Sequence, residues 1–295
     1  HLQRRRQRQM CIRDRGISLL CLGLLIAPLY DALAKYLSED IGILEIIWGR
    51  FFSHFIFLVP LVYFLKGKKE FVNQSTKHQL IRGTFIFLAT AFFYASISQI
   101  PLANALSIML IAPIVVVFMS SFILGEKLNS LKIFCTFFGF FGTLLVIQPG
   151  FSEFNYFSLF ALFSGFFYAM YLVYTRRVNF TSDPWVSLCY TAIPGALIMT
   201  IFLPFYWDSD PNFSQIILMG SIGLVVILVH FIFIKAYQNA EASILAPFHY
   251  FEIVSNMLIS VLFFRDIPNI IVCFGILCIV SSGVLITVRQ KLNYE

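Results

Sequence analysis

Charge is scarce in this chain. Only 12% of its 295 residues are Asp, Glu, Lys or Arg, against about 25% in a soluble domain. Too little charge is present to clothe a water-facing globule of this size, so a soluble fold is excluded. No Cys-x-x-Cys pair occurs among Cys11, Cys21, Cys135, Cys189, Cys273 and Cys278, which argues against a zinc site or a disulfide framework. Five of the six fall in or beside apolar segments, where a thiol acts as a small hydrophobe. No G-x-x-x-x-G-K-[ST] appears, so ATP drive within the chain has no support. Neither H-E-x-x-H nor paired loop aspartates are present. The acidic run DSDPN at 208–212 has no second cluster to work with, so no enzyme activity, cofactor or metal is expected. No long polar loop offers a surface to a protein partner. A membrane-embedded enzyme, or a scaffold subunit without transport activity, stands as the alternative to the reading that follows.

Apolar residues supply what charge does not. Hydrophobic residues make up 59% of the chain, 35 of them phenylalanine. They fall into ten runs, at 16–37, 44–65, 80–98, 102–124, 131–148, 157–175, 185–205, 214–234, 242–263 and 269–288. Each approaches the roughly 20 residues that a helix needs to cross a bilayer. Barrel strands would be about ten residues long and alternating, so the expected class is an all-α membrane protein of ten helices. Lys66, Lys68, Lys69, Lys77, Arg82, Lys127, Lys132, Arg176, Arg177, Lys235, Arg289 and Lys291 fall in alternate connections. Lys35, Arg265, Glu39, Asp40, Glu153, Asp208, Asp210 and Asp266 fall in the others. The positive-inside rule then places the chain in the cytoplasmic (inner) membrane with both termini in the cytoplasm. The opening HLQRRRQRQMCIRDR, residues 1–15, has no apolar periodicity. It reads as a basic tail or as translated adapter sequence, the latter favoured, and is set aside from functional reasoning. The net charge of +6 reports topology; no nucleic-acid partner is expected. The expected partners are the lipid bilayer and a small-molecule substrate, and a homodimer is compatible with the pattern.

The two halves echo each other. ALSIMLIAPIVVVFMSSFILGEKL at 105–128 stands against LAPFHYFEIVSNMLISVLFFRDIP at 245–268, with Glu126 over Asp266. Each exit is followed by a glycine-bearing helix, with Gly139 and Gly142 in one half and Gly275 and Gly283 in the other. Equivalent spans lie five apart, an odd number, so the halves must be oppositely oriented, a recurring transporter architecture. These stretches, with DALAKYL at 31–37 and WGRFF at 48–52, resemble an EamA-type protein of the drug/metabolite transporter superfamily. The pattern is similar to S-adenosylmethionine carrier-like members. Arg265 stands where that family usually has glycine, and Asp266 where it has glutamate. The resemblance implies a first five-helix repeat over 16–148, a second over 149–295, and secondary transport of small metabolites by alternating access.

Polar residues inside the spans mark the candidate site, because each embedded charge costs about 2.5–3.5 kcal/mol unless it faces a cavity or a partner. Asp31 and Lys35, at i,i+4, form an ion pair at the outer helix end or a gate. Arg50, with His54 one turn on, needs Glu45, Asp31 or a substrate carboxylate as partner; its planar fork suits an anionic or zwitterionic solute. His249, Glu252, Asn256 and Ser260 are expected on one helical stripe, with Glu252 as the proton or cation site and Pro247 freeing carbonyls upstream. Their alternative is a hydrogen-bonded staple between helices. Tyr168 and Tyr171 line a cavity or pack in the core, and Trp48 and Tyr94 are placed beside them. His230 is expected to be a satisfied bundle histidine, Glu126 a helix-terminus contact, and Pro113 a kink. These groups are expected to converge on one central cavity.

Overall fold

The computed structural model describes residues 2–38, 40–72, 74–97, 99–100, 102–149, 155–179, 182–259 and 269–292. The expectations for the side chains of Asp31 and Lys35, and for Ser260, Arg265 and Asp266, lie outside the described residues. A backbone in lipid must satisfy its own polar groups, and helices do so locally. The chain accordingly forms α1 (Leu2–Ile26), α2 (Pro28–Leu37), α3 (Ile43–Lys66), α4 (Lys68–Phe71), α5 (Thr76–Ile97), α6 (Leu102–Met109), α7 (Ala112–Leu124), α8 (Ser130–Ile147), α9 (Phe157–Val178), α10 (Pro184–Phe202), α11 (Phe213–Asn239), α12 (Ala242–Leu245), α13 (Phe251–Ile259) and α14 (Ile270–Leu292). Tight 3-10 turns occupy Leu203–Phe205 and Ala246–Tyr250. Helix α1 continues back through residues 2–15, the segment set apart as a tail on sequence grounds.

Nine stretches of the described residues are long and apolar enough to cross a membrane. The broken helix from Ala242 to Ile259 is the tenth span. Proline removes a backbone donor and clashes with the preceding turn, and it stands at three breaks here, although α3 and α10 run on through Pro60 and Pro194. Pro28 opens α2 where α1 stops, Pro113 sits in the first turn of α7 just after α6 ends, and Pro247 lies in the 3-10 turn between α12 and α13. Spans 4 and 9, the counterparts in the two repeats, are therefore both discontinuous, each at an Ala-Pro pair (Ala112-Pro113, Ala246-Pro247).

The repeats run in opposite senses. Helix α3 starts beside Glu45 and ends at Lys66, whereas its counterpart α10 starts at Asp183, whose carboxylate pairs with Lys66 at 3.0 Å. The two ends of the bundle are called here the acidic end, at Glu45, and the basic end, at Lys66. One core unites both repeats: Leu20 and Leu24 of α1, Phe51 of α3, Val116 and Val117 of α7, Leu172 of α9, Phe233 of α11 and Leu245 of α12. Large apolar side chains cover the outside; Phe122, for instance, is 81% exposed, as a hydrocarbon solvent allows. Helices α8 and α14 touch backbone to backbone. A Cβ on Gly142 would lie 2.7 Å from the Gly275 carbonyl oxygen, and one on Gly275 would lie 2.6 Å from that of Gly142.

One sequence expectation is corrected. Helix α5 begins at Thr76, earlier than residue 80, so Arg82 is no loop cation. It lies inside the bundle and is fully buried.

Candidate functional site

Helix α3 sets a ladder of polar groups from the acidic end towards the middle. Arg50 lies seven residues from the start of α3, about 10 Å along the axis at 1.5 Å per residue. It is only 9% exposed. Its Cζ lies 5.0 Å from the Tyr30 ring centroid and 5.6 Å from that of Phe51, a cation–π seat. No carboxylate among the described residues pairs with it, and its Nε is buried without a hydrogen-bond partner. His54, one turn on, is buried with its Nε2 likewise unpartnered. The electrostatic neighbours of His230 are Arg50, His54 and Arg82.

Helices α9 and α11 and the broken span complete the centre. Tyr171 Oη shares a 2.7 Å hydrogen bond with His230 Nδ1. Tyr168 stacks on Tyr171 with centroids 6.2 Å apart and stands edge-on to His249 at 6.0 Å. His249 Nε2 shares a 2.9 Å hydrogen bond with Tyr237 Oη, and its Nδ1 is buried without a partner. Glu252 and Tyr30 are among the groups that act electrostatically on the Tyr168 hydroxyl. Tyr168, Tyr171 and His249, named from sequence, thus meet in one polar centre with His230 and Tyr237, and Arg50, His54 and Glu252 act on it electrostatically.

Other expected members fall elsewhere. Trp48 belongs to an aromatic layer at the acidic end. It stacks on Phe52 at 4.6 Å, meets Trp207 edge-on at 5.6 Å, and donates from Nε1 to Thr200 Oγ1 at 3.0 Å. Tyr94 packs against the main core beside Phe93. Asn256 is exposed and donates to the Glu252 carbonyl oxygen at 3.0 Å. The expected stripe is therefore mixed in exposure: His249 is buried, and Asn256, seven residues on, is exposed. Glu45, offered as a partner for Arg50, is engaged at the acidic end instead, as described below. Two hollows lie away from the centre. One, of about 270 Å³, is lined by Cys21, Pro247, Phe248, Phe251, Gly283 and Thr287; the other, of about 720 Å³, runs along α5 from Gln74 to Phe85. Of the expected site residues only Pro247 lines either one. Arg82 is the member that sequence reasoning missed as a site residue: its guanidinium lies 5.5 Å from the Tyr171 ring.

The EamA-like transporter family matches residues 14–148 and again residues 156–288. The chain belongs to the EamA-like transporter family. It is 23% identical over 278 residues to an S-adenosylmethionine uptake transporter of Rickettsia prowazekii (strain Madrid E), covering 94% of this chain and 93% of that protein. It is 23% identical over 278 residues to a riboflavin transporter of Vibrio cholerae, covering 91% of each. It is 23% identical over 280 residues to the pseudopaline exporter CntI of Pseudomonas aeruginosa, covering 94% of this chain and 97% of that protein. A solved crystal structure superposes with TM-score 0.78 at 17% identity, over 96% of this chain and 98% of that one, which speaks to fold alone.

Two buried carboxylates tie the EamA-like repeats together, one at each end. At the acidic end Glu45 Oε1 accepts the N–H groups of Asp208 at 2.9 Å and Ser209 at 3.0 Å, and its Oε2 accepts the Ser209 hydroxyl. At the basic end Gly125 closes α7 in the left-handed region, φ 69°, and turns Glu126 back across the bundle. Glu126 accepts the N–H groups of Ala242 and Ser243, both at 2.9 Å, and the Ser243 hydroxyl at 2.6 Å. Lys132 adds bonds to Ser243 Oγ at 2.8 Å and Glu241 at 2.7 Å. In each case a carboxylate of the first repeat receives two consecutive backbone donors and one serine hydroxyl of the second.

Proposed function

We propose that the chain is a secondary transporter that moves a small zwitterionic metabolite, an amino acid, S-adenosylmethionine or a similar solute, across the cytoplasmic membrane by alternating access. The repeats, 16–148 and 149–295, rock about the polar centre, with the basic end and both termini in the cytoplasm. Arg50 carries the reading. A guanidinium nine-tenths buried, seated on Tyr30 and lacking a carboxylate among the described residues, is a ready partner for a solute carboxylate, which its fork holds bidentately. The Tyr168–Tyr171–His249 rings, with Glu252 nearby, suit the cationic part of the same solute through ring faces and charge. The chain's likeness to an S-adenosylmethionine uptake transporter over nearly its full length agrees with a zwitterion.

Uptake of radiolabelled S-adenosylmethionine and of a panel of labelled amino acids into proteoliposomes holding the purified chain tests this. Wild type is expected to take up at least one of them, and Arg50→Gln to lower uptake about ten- to a hundred-fold, the worth of a charged hydrogen bond of roughly 1.5–3 kcal/mol. Arg50→Lys retains charge without the fork and should fall between. A folded wild-type protein that moves none of these solutes, or an Arg50→Gln variant with undiminished uptake, rejects the reading.

A further inference from the structure

Four cationic side chains are buried among the described residues: Arg13, Arg50, Arg82 and Lys132. Two of them have carboxylate partners, Arg13 with Asp14 at 3.3 Å and Lys132 with Glu241 at 2.7 Å. Arg176, half-buried at the basic end, has Glu126 at 3.9 Å. Arg50 and Arg82 have none among the described residues, and both border the polar centre. A guanidinium deep in hydrocarbon without a carboxylate is costly, and among the described residues this fold shows two.

Among the described residues Arg82 is held by neutral acceptors. Its Nη1 donates to Thr175 Oγ1 at 3.3 Å; its Nη2 donates to Thr191 Oγ1 at 2.8 Å and to the Ser187 carbonyl oxygen. Its Nε is buried without a partner. That leaves the Nε proton without a protein acceptor, free to meet one carboxylate oxygen. Thr175 and Thr191 point their protons elsewhere, to the carbonyls of Tyr171 and Ser187, so they hold the guanidinium in place without neutralising it. The two arginines sit at opposite depths. Arg82 is six residues from the basic end of α5 and Arg50 seven from the acidic end of α3, each about 10 Å in. His54, His230 and Tyr171 each feel the charge of both arginines.

We infer that Arg82 is a second binding station for the solute's carboxylate, facing the basic end, which receives the group after Arg50 has held it from the acidic end. This rests on the reading of Arg50 as the carboxylate site. Two anchors of like chemistry on either side of the middle let a zwitterion cross without its anionic group ever facing bare hydrocarbon. Thr175 and Thr191 act as positioning residues for Arg82.

Charge-selective labelling tests the station without any need for flux. Thr175→Cys and Thr191→Cys, each in the full-length protein in oriented vesicles, are exposed from the basic face to an anionic sulfonatoethyl or a cationic trimethylammonioethyl methanethiosulfonate. A positive, solvent-reachable station should favour the anionic reagent about ten-fold or more. Adding Arg82→Gln should erase the preference. Equal rates for the two reagents, or no labelling of either cysteine from the basic face, overturn the inference. Wild-type protein gives a check free of substitution. Phenylglyoxal applied from the basic face should modify Arg82, read by peptide mass, and S-adenosylmethionine should slow the modification. An Arg82 that never reacts marks it as a purely structural cation. Failure of the transport reading registers separately, as absent solute uptake by wild type.

Discussion

Asp183 holds two roles at the basic end. Its Oδ1 accepts the N–H groups of Trp185 at 2.8 Å and Val186 at 3.4 Å, capping α10, while its Oδ2 accepts from Lys66 Nζ at 3.0 Å. Partial burial pulls its pKa up, but the Lys66 hydrogen bond and charge, with the two backbone donors, outweigh that and hold the carboxyl below its ordinary 3.8. A carboxyl whose folded pKa is lowered adds stability above its unfolded value and loses it as pH falls through the folded one. Asn caps helices as well as Asp, so Asp183→Asn isolates the charge. The variant should melt slightly below wild type at pH 7, by under about 1 kcal/mol because the pair is largely solvated. The gap should close as the pH drops below 3.8; detergent melting curves with the same gap at both pH values would refute this. Residue roles were unevenly legible in the sequence. Arg50 stood out because a full charge sits among apolar neighbours of the span, with only Ser53 and His54 polar within a turn after it. Arg82 did not, since Lys77 and the polar start of α5 disguise it as a loop charge. The backbone donors that occupy Glu45 and Glu126 have no side-chain signature at all.

Elements were more readable than residues. Long apolar runs report helices whatever they pack against, and proline reports the breaks at Pro113 and Pro247 because its missing donor acts locally. The 3-10 winding at Ala246–Tyr250 was not readable, since three- and four-residue spacings coincide over so short a stretch; nor was the passage from buried His249 to exposed Asn256. Glycine carries information of a different kind, namely how closely two helices approach. The Gly142 and Gly275 Cα atoms face each other's carbonyl oxygens, as small residues at membrane-helix interfaces do. A methyl at either site would press on backbone, which cannot swing aside. Gly142→Ala should therefore destabilise by about 1–3 kcal/mol, the usual cost of overpacking. Gly220→Ala provides contrast, since its nearest neighbour would be 3.9 Å away; relief of the roughly 1 kcal/mol glycine penalty should leave it neutral or more stable. Thermal unfolding in matched detergent ranks the two, and an equal effect at both positions would show that α8 and α14 are not in backbone contact.

For the whole molecule, the question is what holds two oppositely oriented repeats together while leaving them able to move. The hydrophobic core cannot choose a state, because hydrocarbon surrounds the bundle and burial against lipid or against a helix is nearly equivalent. Directional bonds must choose. Glu45 and Glu126 supply the same set, two backbone donors and a serine hydroxyl, at opposite ends of the bundle. In the proposed cycle, closing both sets shuts the solute off from either side, and one opens while the other holds. On that proposal each carboxylate governs its own end. Replacing Glu45 with Gln keeps its size and removes the charge from its hydrogen bonds, each worth about 1.5–3 kcal/mol. Amide hydrogen exchange at Asp208 and Ser209 should accelerate about ten- to a hundred-fold, with Ala242 and Ser243 unchanged or slower as the population shifts towards opening at the acidic end. Glu126→Gln should do the reverse. Faster exchange at both ends in either variant would mean that the carboxylates staple one rigid body, and that the two ends are not alternatives to one another.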